Sequence, residues 1–204
     1  MAPYLADIGD GLHLLGWVQA AYFHMTLDIA ARFLERSQHY LGVEYPAKIA
    51  AALRAIPPDK LWWRTNPSSN SAGNLVLHLT GNVRQWIVSG VGGAPDIRHR
   101  DAEFSASTGP DGESLLVGLR AVCDEAVAVL ASLDGAALDE SRTIQGRETS
   151  VFSAVYHVVE HFSGHTGQII LLSKQFTNDA VRFYDDADGL ARPLFLSTGE
   201  ADIA

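Results

Sequence analysis

The stretch VFSAVYHVVEHFSGHTGQIILLSKQF, residues 151–176, decides how the rest of the chain is read. It is long, free of proline, and carries Val158, Phe162, Ile169 and Ile170 at helical spacing, so it predicts a largely buried helix. His157, His161 and His165 follow one another at intervals of four. Residues four apart on a helix lie about 40° apart around the axis and about 6 Å apart along it. His161 and His165 therefore project from one face and can chelate one ion. Two other readings stay open. The three imidazoles can form an exposed stripe, and His157-Val158-Val159-Glu160-His161 spells H-x-x-E-H, the inverted zinc-protease motif with two histidine ligands and a glutamate base.

A third imidazole must come from another element, and NLVLHLTGNVRQWIVSGV, residues 74–91, offers His78 on a face that is otherwise mainly apolar. An imidazole in such surroundings needs a partner, and a metal ion would serve. Ser69, Asn70 and Ser71 are candidate N-caps for this helix, and Gly92-Gly93 stops it. Asn74 and Asn82 stand one turn either side of His78. Each either hydrogen-bonds a ligand imidazole or a substrate, or has a structural duty: capping for Asn74, bonding between helices for Asn82. Gln168, three residues after His165, is placed to orient an imidazole from outside the coordination sphere.

Working outward, helical spacing opens at Met25-Thr26 and runs through Ile29, Phe33, Leu34 and Leu41 to a turn expected near Gly42 to Pro46. KIAAALRAI is a short helical stretch ended by Pro57-Pro58, since proline cannot supply the N–H that a helix requires. LWWRTNPSSN is a long connection whose Trp62 and Trp63 read as core or interface anchors. PDIRHRDAEFSASTGPDGE reads as a polar loop of about twenty residues, long enough to suggest a functional or packing role. Around it, Arg84, Trp86, Arg98, Arg100, Asp101 and Glu103 form either a buried salt-bridge network or dimer contact, or a site for a substrate carboxylate. SLLVGLRAVCDEAVAVLASL is the clearest helix of all, and a short hairpin is expected between Thr143 and Thr149. Four principal helices give an all-α four-helix bundle whose core can host a metal site. Residues 1–24 are glycine-punctuated and poorly periodic; they read as an appendage, with Met25 as a candidate natural start, ahead of one domain spanning 25–204.

Composition narrows the partners. Among 204 residues, 15 Lys+Arg face 24 Asp+Glu, for a net charge of -9, and no basic cluster interrupts the acidic balance. Such a surface repels phosphate backbones and anionic headgroups, so neither nucleic acid nor membrane is the expected partner, and a small molecule is. No apolar run approaches the roughly 20 residues that span a bilayer, and the N-terminus has no Lys or Arg before Arg32, so a cytoplasmic location is expected. The single cysteine, Cys123, sits on an apolar helical stripe with no adjacent base to favour a thiolate. It reads as structural.

Taken together, NSAGNLVLHLTGNVRQWIVSGVGG, YHVVEHFSGHTGQIILLSK, LWWRTNPSSN and the R-x-R-D-x-E-F run Arg98 to Phe104 resemble the DinB/YfiT-like superfamily, in particular its DUF1572 branch, from about Ala31 to the NDAVRFYDD tail. The resemblance implies a four-helix bundle with a long crossover connection, a homodimer, and one divalent ion, nickel or zinc, held by His78, His161 and His165. His157 then becomes a core residue or a neighbour of the ligands. Thr166 stands where relatives often carry an arginine. Characterised members of the superfamily handle low-molecular-weight thiols, so the implied chemistry is metal-dependent S-transfer. A non-catalytic, metal-stabilised stress-related module and a metal-dependent hydrolase are the alternatives.

Overall fold

The computed structural model describes residues 29–177 and 181–196. The expected appendage 1–24 and the Met25 start lie outside the described residues. Four long helical segments dominate what is described. The first, α1, runs without a break over 29–55: α-helical over 29–39, π-helical at Tyr40–Glu44, and α-helical again at Tyr45–Ala55. The second, α2, is α-helical at Ala72–Val83 and continues as a π-helix at Arg84–Val91. A six-residue helix, α3, spans Arg100–Ser105; α4 spans Gly112–Ala131 and α5 spans Val151–Thr177. The main packing joins α1 to α4 and α5, and α2 to the same pair. One contiguous core lies between them, centred on fully buried Leu41, Ile49, Leu79, Leu119, Leu130, Val155 and Phe162. No helix among the described residues is long and apolar enough to cross a membrane.

The turn expected at Gly42 to Pro46 is not there; the chain passes it as a widened helical turn. Pro46 has no N–H for the Gly42 carbonyl, and its ring would crowd that carbonyl in a regular α-turn. The chain answers with i→i−5 bonding, in which the Tyr45 N–H donates to the Tyr40 carbonyl. The Gly42 carbonyl thus freed accepts from the Arg120 guanidinium on α4. Glycine is needed at this point for a second reason: a Cβ on residue 42 would sit 2.8 Å from Val127 Cγ2.

The expected polar loop between α2 and α4 contains α3. Local chemistry explains the neighbouring starts: Ser71 caps α2 in a capping box with Asn74, and the Asp111 side chain accepts from the Ser114 N–H to open α4. The expected hairpin is present as β1, Ser141–Ile144, paired antiparallel with β2, Arg147–Ser150. Gln145 and Gly146 form its two-residue turn with φ of 54° and 72°, the primed geometry that matches strand twist. A second, minimal hairpin pairs β3, Tyr184–Asp185, with β4, Arg192–Pro193. Trp62 fills the space left by two glycines, since a Cβ on Gly73 or Gly109 would lie within 2.9 Å of its ring. Trp63 is partly exposed and meets Phe176 edge-on at 5.3 Å.

Candidate metal centre

His78 lies midway along α2, and His161 and His165 one turn apart on α5. Packing of α2 on α5 brings the three imidazoles tip to tip. His161 Nε2 is 3.0 Å from His78 Nε2 and 3.1 Å from His165 Nε2, and one ligand atom from each of the three lies within 4.8 Å of the other two. An ion bonded at about 2.0–2.1 Å to two imidazoles separates their nitrogens by roughly 2.9–3.4 Å, depending on the bond angle. The observed spacings fall in that range.

The outer ring nitrogens decide what the inner ones can offer. His78 Nδ1 is 2.8 Å from Glu103 Oε2. Burial alone pushes the Glu103 pKa up, but hydrogen bonds from Arg98 and His78 outweigh it and hold the carboxyl below its usual range. Glu103 is therefore an acceptor, His78 Nδ1 carries the hydrogen, and His78 Nε2 presents a lone pair. His165 Nδ1 is 2.8 Å from Gln168 Oε1, an acceptor that favours the same tautomer there. Two lone pairs thus point at His161 Nε2, which carries at most one hydrogen. Burial first, and then the neighbouring imidazoles, push the His161 pKa down to about 3, so protonation does not supply the missing charge at neutral pH. Burial likewise lowers the pKa of His165, against the raising effect of Gln168.

Glu103 lies in the buried salt-bridge network that was one of its expected settings. It pairs with Arg98: Nε donates to Oε1 at 2.7 Å and Nη2 to Oε2 at 2.7 Å, with the Arg98 side chain 3% exposed. The same carboxylate also holds His78. Arg98 in turn reaches Gln85, whose amide contacts Asp96 and Gln145. No spacing signal in the sequence links Glu103 to His78; in the structure its neighbour Phe104 packs against the His78 ring at 4.6 Å between centroids. The other charged residues divide. Arg84 pairs with Glu125 on α4 at the surface, and Arg100 lies over the Phe104 ring.

The remaining candidates have distinct placements. Asn74 serves the cap: its Oδ1 accepts from the Ser71 N–H and hydroxyl, while Nδ2 donates to the carbonyls of Glu103 and Ala106, each at 2.8 Å. It thereby ties α3 to α2. Asn82 is buried, and its Oδ1 finds no partner among the described residues; His161 Nδ1, Trp86 Nε1 and the Thr166 hydroxyl share that condition. His157 packs against Trp86 at 4.2 Å between ring centroids and is not one of the converging set. Glu160, the base of the inverted-protease pattern, is exposed. Cys123 is fully buried, and burial pushes its thiol up to about 12, which agrees with a structural role.

The described chain is a mainly helical protein that brings three histidines to one point, and its fold is similar to solved structures of DinB-like proteins. A DinB-like protein from Bacillus cereus ATCC 10987 superposes with a TM-score of 0.54 at 19% identity, over 70% of this chain and 89% of that one. A DinB-like protein from Bacillus subtilis, YjoA, gives 0.55 at 19% identity, over 76% and 97%. Identity at that level speaks for the fold. The family model described as "Protein of unknown function (DUF1572)" matches residues 28–185, and the chain belongs to that family. No curated protein matches it.

Proposed function

We propose that this protein is a metal-dependent enzyme that holds one divalent ion, nickel or zinc, through His78, His161 and His165 and transfers a low-molecular-weight thiol to a small-molecule electrophile. The observation that carries the metal is the convergence of three imidazole nitrogens, with His161 Nε2 3.0 Å from His78 Nε2 and 3.1 Å from His165 Nε2. A divalent ion held by the three imidazoles would supply Lewis acidity that lowers the pKa of a bound thiol, whose proton would pass to solvent. The chain's own residues set the stage. Glu103 and Gln168 turn the rings, and α2 and α5 hold them together, with His78 buried and His161 and His165 half-buried. The helical segments are read as a four-helix bundle with a long connection between α2 and α4.

The same geometry favours a second reading on one count. His78 and His161 stand 83 residues apart in sequence, so an ion between them also fastens the fold. A protein that is only stabilised by metal, without turnover, is the competing conclusion. Hydrolysis through H-x-x-E-H has less to stand on, because His157 is turned to Trp86.

Elemental analysis of untagged protein purified without chelator decides the first step. About one ion per chain is expected in wild type and in His157→Ala, and little in His78→Ala, His161→Ala or His165→Ala. An empty wild type sinks the metal reading. Loaded protein is then offered a panel of thiols and electrophiles: thiol-dependent consumption of an electrophile supports the enzyme, and stabilisation by metal with no turnover on any pair supports the alternative.

A further inference from the structure

Glu103 reaches His78 from 25 residues away in sequence, on a six-residue helix set into a polar connection. Three independent features are built around its carboxylate. Arg98 grips both oxygens, at 2.7 Å each, from a side chain that is 3% exposed. Asn74 pins the Glu103 backbone carbonyl to the start of α2. Gly81 leaves the opening through which the carboxylate arrives, because a Cβ there would lie 2.0 Å from Glu103 Oε1. A glycine inside an α-helix costs on the order of 1 kcal/mol against alanine. At position 81 it is the space that requires it.

From this arrangement we infer that Glu103 is the positioning residue of the centre, with Arg98 as its clamp and Gly81 as its access. It holds the hydrogen of His78 on Nδ1, fixes the ring so that Nε2 faces His161 and His165, and makes that nitrogen a stronger donor to a metal ion. The guanidinium balances the carboxylate, so the charge can be kept in the interior without drawing the proton off His78. Arg98 Nη2 also lies 3.1 Å from His78 Nδ1. With a hydrogen on Nδ1 that contact is not a hydrogen bond, and the Nη2 hydrogen goes to Glu103 Oε2. The inference rests on the three-histidine reading above and assigns to it a fourth residue that touches no ion.

Cobalt(II) is the probe, because its visible ligand-field bands report the geometry of the imidazoles around it. Three variants are titrated against a competing chelator alongside wild type: Glu103→Gln, the charge-neutral pair Glu103→Gln with Arg98→Gln, and Gly81→Ala, which displaces the carboxylate while leaving both charged groups in place. Circular dichroism selects the variants that fold. The expected result is an affinity about 10- to 100-fold lower than wild type, with altered bands. Nitrogen-15 spectra of histidine-labelled, zinc-loaded wild type add a measurement that needs no variant, and His78 should carry its hydrogen on Nδ1 and coordinate through Nε2. A wild type that takes up no cobalt defeats the three-histidine reading itself. Wild-type uptake with unchanged affinity and bands in every folded variant, or coordination of His78 through Nδ1, overturns the role of Glu103 alone.

Discussion

Asn74 shows how much a single side chain can hold at this site. It closes the capping box with Ser71 and donates to two carbonyls of the α3 segment. Asn74→Ala is expected to destabilise the protein by about 2–3 kcal/mol, combining a lost cap of about 1 kcal/mol with buried carbonyls left unpaired; urea denaturation measures it. Asn74→Asp keeps the acceptor but sets a carboxylate oxygen against both carbonyls in a buried position, so it should cost at least as much as alanine. Cys123 supports a simpler expectation. Its buried thiol should resist a thiol-specific reagent in the native protein and react fully on unfolding, and fast native labelling would contradict the burial. The histidine positions were legible because helical spacing alone puts His161 and His165 on one face, and an imidazole among leucines at His78 needs a partner. Gln168 was legible for the same reason. Glu103 was not, because spacing along a helix says nothing about a carboxylate delivered from another element.

Among the elements, the close approach of α1 and α4 makes the sharpest case. Alanine at Gly42 gains helix propensity but sets a methyl 2.8 Å from Val127 Cγ2. Overpacking of this kind costs about 1–3 kcal/mol, against a propensity gain of about 1 kcal/mol, so Gly42→Ala should be net destabilising. Val127→Ala in the same chain should relieve much of the loss, and a double-mutant cycle on denaturation midpoints reads the coupling. In the hairpin, Gly146 has φ of 72°, and Gly146→Ala is expected to cost about 1 kcal/mol by strain in the left-handed region. That turn could be anticipated from its sequence. The continuity of α1 could not, because Gly42 to Pro46 reads locally as a turn, and the guanidinium that meets the Gly42 carbonyl comes from α4.

At the scale of the molecule, the core joins four helices, and the candidate centre bridges two of them. If an ion binds there in the native state alone, stability should rise by about 1.4 kcal/mol for each tenfold increase in free metal above the dissociation constant. Thermal shifts across a metal titration check this, and His157→Ala should follow wild type while His161→Ala stays flat. The mostly helical character and the helical core were readable from periodicity because burial imposes the 3.6-residue repeat on the sequence. Which helices would meet was not readable from periodicity, since a buried stripe does not name its partner.

The π-turn at Tyr40–Glu44 has one more consequence. It amounts to a residue inserted into an otherwise regular helix, and so it sets the rotational phase of everything before it. Each α-helical residue turns the chain by about 100°. Deleting one residue between Tyr40 and Glu44 would restore a regular helix with the phase nearly kept, whereas winding the same residues as regular α-helix, with none removed, would swing residues 29–39 about a quarter-turn around their own axis. Leu34 and Ser37, now 5% and 3% exposed, would rotate away from the interior. The local irregularity is thus what keeps the two halves of α1 facing the same core.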